Sequence, residues 1–213
     1  PKLFMYANAS DSWGSALTTT NITDEVTDSV VFTNASGTSY LVFAHYDANG
    51  SGYSYSTNGT SWTTDAQDTQ FLTVWDDRLW GISYAGQLWS AAAVGTEYDD
   101  AVLPLPDGSV TALFVARNAM GVPIIYAATT EGLFAHNVDN AMWEATQVAF
   151  PVHPDNGKGS VRWRDSVYLS SGNGIYKYIN GSNAAVVTVI GPDRDDGLPS
   201  NKRGTIRMMA GSH

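Results

Sequence analysis

Tyr40-Leu41-Val42-Phe43-Ala44, then Asp47-Ala48-Asn49-Gly50-Ser51-Gly52, then Tyr53-Ser54-Tyr55-Ser56, then Asn58-Gly59 follow one another closely, and their order decides the fold. The first and third stretches alternate in side-chain character, the pattern of half-buried strands. The second stretch is turn chemistry, and Asn58-Gly59 is a strong hairpin turn. A further short strand at Trp62–Thr64 follows that hairpin. With an earlier strand at Asp28–Asn34, the segment reads as four antiparallel strands in succession.

The same pattern recurs along the chain. A large strand residue is followed nine positions later by a second residue, usually aromatic, in Phe4/Trp13, Tyr53/Trp62, Trp89/Tyr98, Phe134/Trp143 and Tyr176/Ala185. The first members stand 49, 36, 45 and 42 residues apart. A repeat of this length, made of short strands and Gly-rich turns, predicts an all-β fold of β-propeller type with about five blades.

The expected blades are 28–68, 69–108, 109–156 and 157–200, with a split blade made of 1–27 and 201–213 in one propeller domain. Predicted strands include Phe71–Trp75, Arg78–Tyr84, Gln87–Ala93 and Ala101–Leu105 in the third repeat. The fourth contributes Val110–Arg117, Pro123–Ala128, Leu133–Asn137 and Trp143–Phe150. The fifth contributes Ser160–Arg164, Val167–Ser171, Ile175–Ile179 and Ala184–Ile190. Gly204–Ala210 reads as an innermost strand that would close the ring against Lys2–Ala7 and Trp13–Thr18, removing free sheet edges. The alternative is a fragment of a larger propeller. No window has a sustained helical period.

Composition excludes several functions. Net charge is −10, with 21 Asp or Glu against 11 Lys or Arg, which opposes nucleic-acid binding. The chain has no cysteine, so disulfides, thiolate catalysis and Cys-ligated zinc are excluded. No apolar run approaches the ~18 residues of a membrane span. Asp greatly outnumbers Glu, as suits turns rather than helices.

Two motifs carry resemblances. Ser56-Thr57-Asn58-Gly59-Thr60-Ser61-Trp62 resembles the Asp-box, the S-x-D-G-x-x-W hairpin of sialidase-like propellers, with Asn58 in place of Asp. In those families the box is structural and lies away from the active site. Asp196-Gly197-Leu198-Pro199-Ser200-Asn201 resembles the linker between blades in periplasmic sensor propellers of two-component regulators. It is also similar to propellers of environmental bacteria and their phages. The resemblances imply a propeller and transfer no functional residue.

Direct searching for catalysis gives little. A sialidase needs three converging arginines and a Tyr–Glu pair, whereas Glu25, Glu97, Glu131 and Glu144 all read as turn or outer-strand positions. Adjacent aspartates such as Asp76-Asp77 read as turn caps. His45 with Asp47 could pair as base and orienter, and His45, His136 and His153 could in principle meet on a metal. Asp47, Asn49 and Ser51 match the first half of a calcium loop, although Asn58 stands where a bidentate Glu would complete it.

Binding is the favoured reading. Sugars stack on Trp or Tyr while polar groups meet their hydroxyls, and Trp75, Trp80, Tyr84, Trp163, Arg78 and Arg164 are the candidates for a ligand face. The expected function is a non-catalytic module on an extracellular, periplasmic or virion surface, recognising a glycan or protein surface without a cofactor. Homo-oligomers or a larger assembly are expected, with no nucleic-acid partner and no membrane insertion. The alternatives are a carbohydrate-active enzyme, glycosidase or lyase, with its site over a central channel, and a purely structural assembly subunit.

Overall fold

In a computed structural model, residues 3–7, 12–17, 25–47, 50–96, 98–102, 104–106, 108–118, 120–146, 148, 150–163, 166–171, 174–179 and 186–190 are described. All the regular elements among them are strands. Strands β1 (Leu3–Ala7) and β2 (Ser12–Leu17) form an antiparallel pair. Four four-stranded antiparallel sheets follow, each with its strands in sequence order. They are β3 (Glu25–Thr33) to β4 (Ser39–Asp47), β5 (Gly50–Ser56) and β6 (Thr63–Asp65), then β7 (Phe71–Trp75) to β8 (Arg78–Ile82), β9 (Leu88–Ala91) and β10 (Asp99–Val102). The third comprises β11 (Val110–Arg117), β12 (Pro123–Thr129), β13 (Leu133–Asn137) and β14 (Met142–Ala145). The fourth comprises β15 (Val161–Trp163), β16 (Ser166–Ser171), β17 (Gly174–Ile179) and β18 (Val186–Ile190). The proposed closing strand, Gly204–Ala210, and the Asp196–Asn201 motif lie outside the described residues.

The nine-residue spacing has a simple meaning. In each of the four sheets its first member sits on the third strand, and its second falls within one residue of where the fourth strand begins. The chain divides into two compact units, residues 1–84 with 88–101, and residues 85–87 with 102–213.

In the first unit the core forms between two sheets. Tyr53 on β5 stacks on Trp89 of β9, with ring centroids 5.7 Å apart, and Tyr98 meets the Trp89 ring edge-on at 5.0 Å. Phe32, Val42, Leu72 and Leu79 belong to the same cluster. The Tyr53 and Tyr98 hydroxyls lie 2.6 Å apart, and the Gly95 amide donates to Tyr53 Oη at 2.8 Å. Burial, above all, raises both phenols, Tyr53 to about 12. With its hydroxyls bonded, this aromatic group acts as packing with satisfied polar ends.

The first strands of the two sheets are also tied directly. Thr27 Oγ1 donates to the Gln70 carbonyl at 2.6 Å, and the Leu72 amide donates to Asp28 Oδ2 at 2.9 Å. Asp28 Oδ1 accepts the Ser29 amide. Burial raises the Asp28 carboxyl to about 6 despite these two bonds.

In the second unit, Tyr126, Leu133, Phe150, Val167 and Leu169 belong to one cluster. Asn156, 0 % exposed, is its polar pin. Its Nδ2 donates to the carbonyls of Thr129, Thr130 and Pro151 at 3.2, 3.1 and 2.9 Å. Its Oδ1 accepts Ser171 Oγ at 2.7 Å, and its carbonyl accepts Thr111 Oγ1. The side chain thus joins the ends of β12 and β16 and the backbone carbonyl adds the start of β11, satisfying groups that would be expensive to bury alone.

Candidate functional site

The β5–β6 hairpin takes the form its sequence dictates. Ser56 Oγ accepts the amides of Asn58 and Gly59, while Asn58 Oδ1 accepts those of Thr60 and Ser61 at 2.9 Å each. Gly59 adopts φ +73°, where a side chain would be strained. Trp62 Nε1 closes the loop on the Gly59 carbonyl, and its ring stacks on Phe43 at 4.9 Å. The Ser56 hydroxyl, the Asn58 side-chain oxygen and the Trp62 ring nitrogen are all used in holding the turn.

Trp75 ends β7 opposite Arg78 at the start of β8, Trp80 sits mid-β8, and Tyr84 lies just past its far end, so the predicted ligand residues fall into separate places. Trp80 is buried against Trp75, with centroids 5.5 Å apart, and its Nε1 donates to the Trp75 carbonyl at 2.9 Å. Arg78 donates from Nε to Ser90 Oγ at 3.0 Å and from Nη2 to Asp99. An open depression of about 650 Å³ there is lined by Arg78, Ala92, Gly95, Thr96 and Asp99. The guanidinium in it is already committed to a carboxylate. Trp163 falls in β15 and Arg164 lies outside the described residues.

Of the calcium-loop candidates, Asp47 pairs with Gly50 in the β4–β5 ladder and Asn49 lies outside the described residues. Ser51 Oγ donates to Asp68 Oδ1. Among the described residues no group of three or more His, Asp or Glu is placed to hold a metal ion. His45 is 2 % exposed, with Nε2 at 3.2 Å from Ser54 Oγ, so it belongs to the core. His136 is buried against Trp143, and burial lowers its pKa. His153 Nδ1 accepts the Asp155 amide.

The opposite end of β8 is different. Tyr46, near the end of β4, is 49 % exposed, and Tyr84 is 40 % exposed. Their rings meet at 5.5 Å with a 59° tilt, forming an aromatic step open to solvent. Glu25 is the cross-strand partner of Tyr46 and is exposed. This corrects the expectation that Glu25 occupies a turn or outer strand, because it opens β3, the first strand of its sheet. Burial foremost, then the charges of Glu25 and Asp68 and the Tyr46 hydroxyl, raise the Tyr84 phenol. Asp68 is in turn held by the Ser51 hydroxyl. The site is thus two exposed aromatic faces beside two carboxylates. Its parts come from the start of β3, the β4–β5 junction, the β6–β7 loop and the segment after β8. Sequence reasoning found Tyr84 but not Tyr46, Glu25 or Asp68.

The fold defines an all-β class of repeated four-stranded antiparallel sheets. No protein-family model matches the chain, and no curated protein matches it. Among solved structures, it is similar to the extracellular domain of BT4673 from B. thetaiotaomicron, described as a hybrid two-component system. The TM-score is 0.56 at 17 % identity, over 88 % of this chain and 24 % of that one. A second structure of that extracellular domain, described as a one-component system, gives a TM-score of 0.51 at 18 % identity, over 79 % and 23 %. This chain therefore spans about a quarter of the length of those structures. At that identity the likeness is one of fold. No helix among the described residues is long and apolar enough to cross a membrane.

Proposed function

We propose that this chain is a non-catalytic recognition module of β-propeller type, placed outside the cytoplasm, that reads glycans through the Tyr46–Tyr84 face. The four sequence-ordered sheets support blade-like repeats. The Asn58 turn supports the Asp-box reading of the hairpin, and the extracellular origin of the BT4673 domain supports the location. One observation carries the functional reading: the Tyr46 and Tyr84 rings meet and are both open to solvent, beside Glu25 and Asp68. Tyrosine faces of that kind stack on pyranose rings, and a rigid sheet end holds them in place.

The test is a glycan array probed with the native protein and with a Tyr46→Ala/Tyr84→Ala double variant. Saccharide binding that the double variant loses, while melting as the native protein does, is the expected result. Undiminished binding by the variant would place recognition elsewhere, and binding to proteins alone would replace the glycan by a protein ligand. Incubating the bound saccharides and analysing them for cleavage products checks the non-catalytic claim, with intact saccharide expected.

A further inference from the structure

The charge of this protein is segregated. The first unit contains twelve carboxylates against two Lys or Arg, and the second contains nine of each, so the first unit carries the whole net charge of −10. From residue 3 to residue 77 there is no Lys or Arg at all. Tyr46, Glu25 and Asp68 lie in this cation-free stretch, and Tyr84 follows it in the same unit. The ion pairs among the described residues are Arg78–Asp99 and Lys158–Asp155, so neither Glu25 nor Asp68 has a basic partner there. Two tyrosine rings with flanking carboxylates favour a cation twice over, through the negative ring faces and through direct charge attraction. A neutral sugar would use the rings and hydrogen-bond its hydroxyls to the carboxylates, but would leave their charge uncompensated.

Resting on the glycan reading above, we infer that this face selects saccharides bearing free amino groups, of the glucosamine type. The pyranose rings stack on Tyr46 and Tyr84, and Glu25 and Asp68 hold the ammonium. Hydroxyl groups of the same sugar are in keeping with the Ser51 hydroxyl beside Asp68. Acetylating the amine removes the positive charge while keeping the ring, so the two forms separate the stacking contribution from the charge.

The experiment is calorimetric titration of the whole chain with a glucosamine tetramer, with its N-acetylated counterpart and with a lysine-rich peptide, each at low and high salt. The free-amine tetramer is expected to bind at least about tenfold more tightly than the acetylated one, and to weaken several-fold as salt screens the carboxylates. Glu25→Gln with Asp68→Asn is expected to reduce the free-amine affinity to that of the acetylated form. Tyr84→Ala is expected to weaken both forms roughly fivefold or more. Thermal melting of each variant separates loss of site from loss of fold, and Glu25→Gln alone, at an exposed position, gives the same direction if the double variant unfolds. Equal binding of the two tetramers would overturn selection for the amine and leave glycan recognition standing. Binding of neither tetramer would overturn both, and tighter binding of the peptide would overturn the saccharide as the carrier of the amine.

Discussion

Substituting Gly81 by Ala puts the core packing of the first unit to its sharpest test. Gly81 lies opposite Trp89 in the β8–β9 ladder, and the indole lies across its Cα. A Cβ there would stand 2.2 Å from Trp89 Cζ2, 2.3 Å from Cε2 and 2.8 Å from Nε1. Contact between carbon atoms is comfortable only at about 3.5–4.0 Å, so the ring must shift by more than about 1 Å. That ring is 1 % exposed, stacks on Tyr53, meets Tyr98 edge-on, and donates to the Asp68 carbonyl at 3.1 Å. Overpacking costs about 1–3 kcal/mol, a lost aromatic pair about 0.5–1.5 and an unsatisfied buried polar group at least about 1. Gly81→Ala should therefore destabilise by roughly 3–5 kcal/mol. Urea unfolding followed by tryptophan fluorescence measures it. Trp89→Ala should cost a similar amount through its cavity, and the double variant should cost no more than Trp89→Ala alone, because the clash has lost its partner. A single Gly81→Ala effect under about 1 kcal/mol, or additive effects in the double variant, would refute the packing argument.

Three further expectations follow from the same geometry. The Asp28 carboxyl is raised from 3.8 to about 6, so its burial weighs against folding once it is ionised. Stability contributed by the neutral form is present below about pH 4 and lost as pH rises through about 6, a change on the order of 3 kcal/mol at most. Asp28→Asn should flatten urea midpoints across that window, and an unchanged pH profile would count against it. Asn156→Ala should cost about 3–5 kcal/mol, read as a fall in melting temperature, because it leaves the carbonyls of Thr129, Thr130 and Pro151 and the Ser171 hydroxyl without their partner. Asp76 and Asp77 both adopt left-handed backbone, φ 51° and 55°, in the β7–β8 turn. Replacing them with Asn-Gly should raise stability by about 1 kcal/mol, seen as a higher melting temperature, since that pair suits the same turn without strain.

Much of the strand order is legible in the sequence, for physical reasons that also mark its limits. Phe71–Trp75, Val110–Arg117 and Leu133–Asn137 have the bounds expected of them because turn residues bracket each one. The fourth strands are less readable. Trp143–Phe150 was expected as one strand, but pairing ends at Ala145, and Val148 and Phe150 turn into the second unit's core instead. The expected Ala101–Leu105 strand shifts to Asp99–Val102, where Pro104 no longer has to supply a ladder amide. His45 alternates on a strand as a surface residue would, yet its ring is enclosed, with Nε2 against the Ser54 hydroxyl of β5. The candidate site is illegible for a different reason. Tyr46 lies in β4 and Tyr84 in the turn after β8, and no sequence period brings them together. The one sequence signal near it is the absence of Lys and Arg from residues 3–77, a stretch that holds Tyr46, Glu25 and Asp68.

The most direct measurement is NMR of the protein with isotope-labelled tyrosine rings during titration with the glucosamine tetramer. The rings of Tyr46 and Tyr84 should shift with the titration, while the buried rings of Tyr53 and Tyr126 stay in place. Shifts confined to other tyrosines, or none at a concentration where calorimetry reports binding, would contradict recognition at this face.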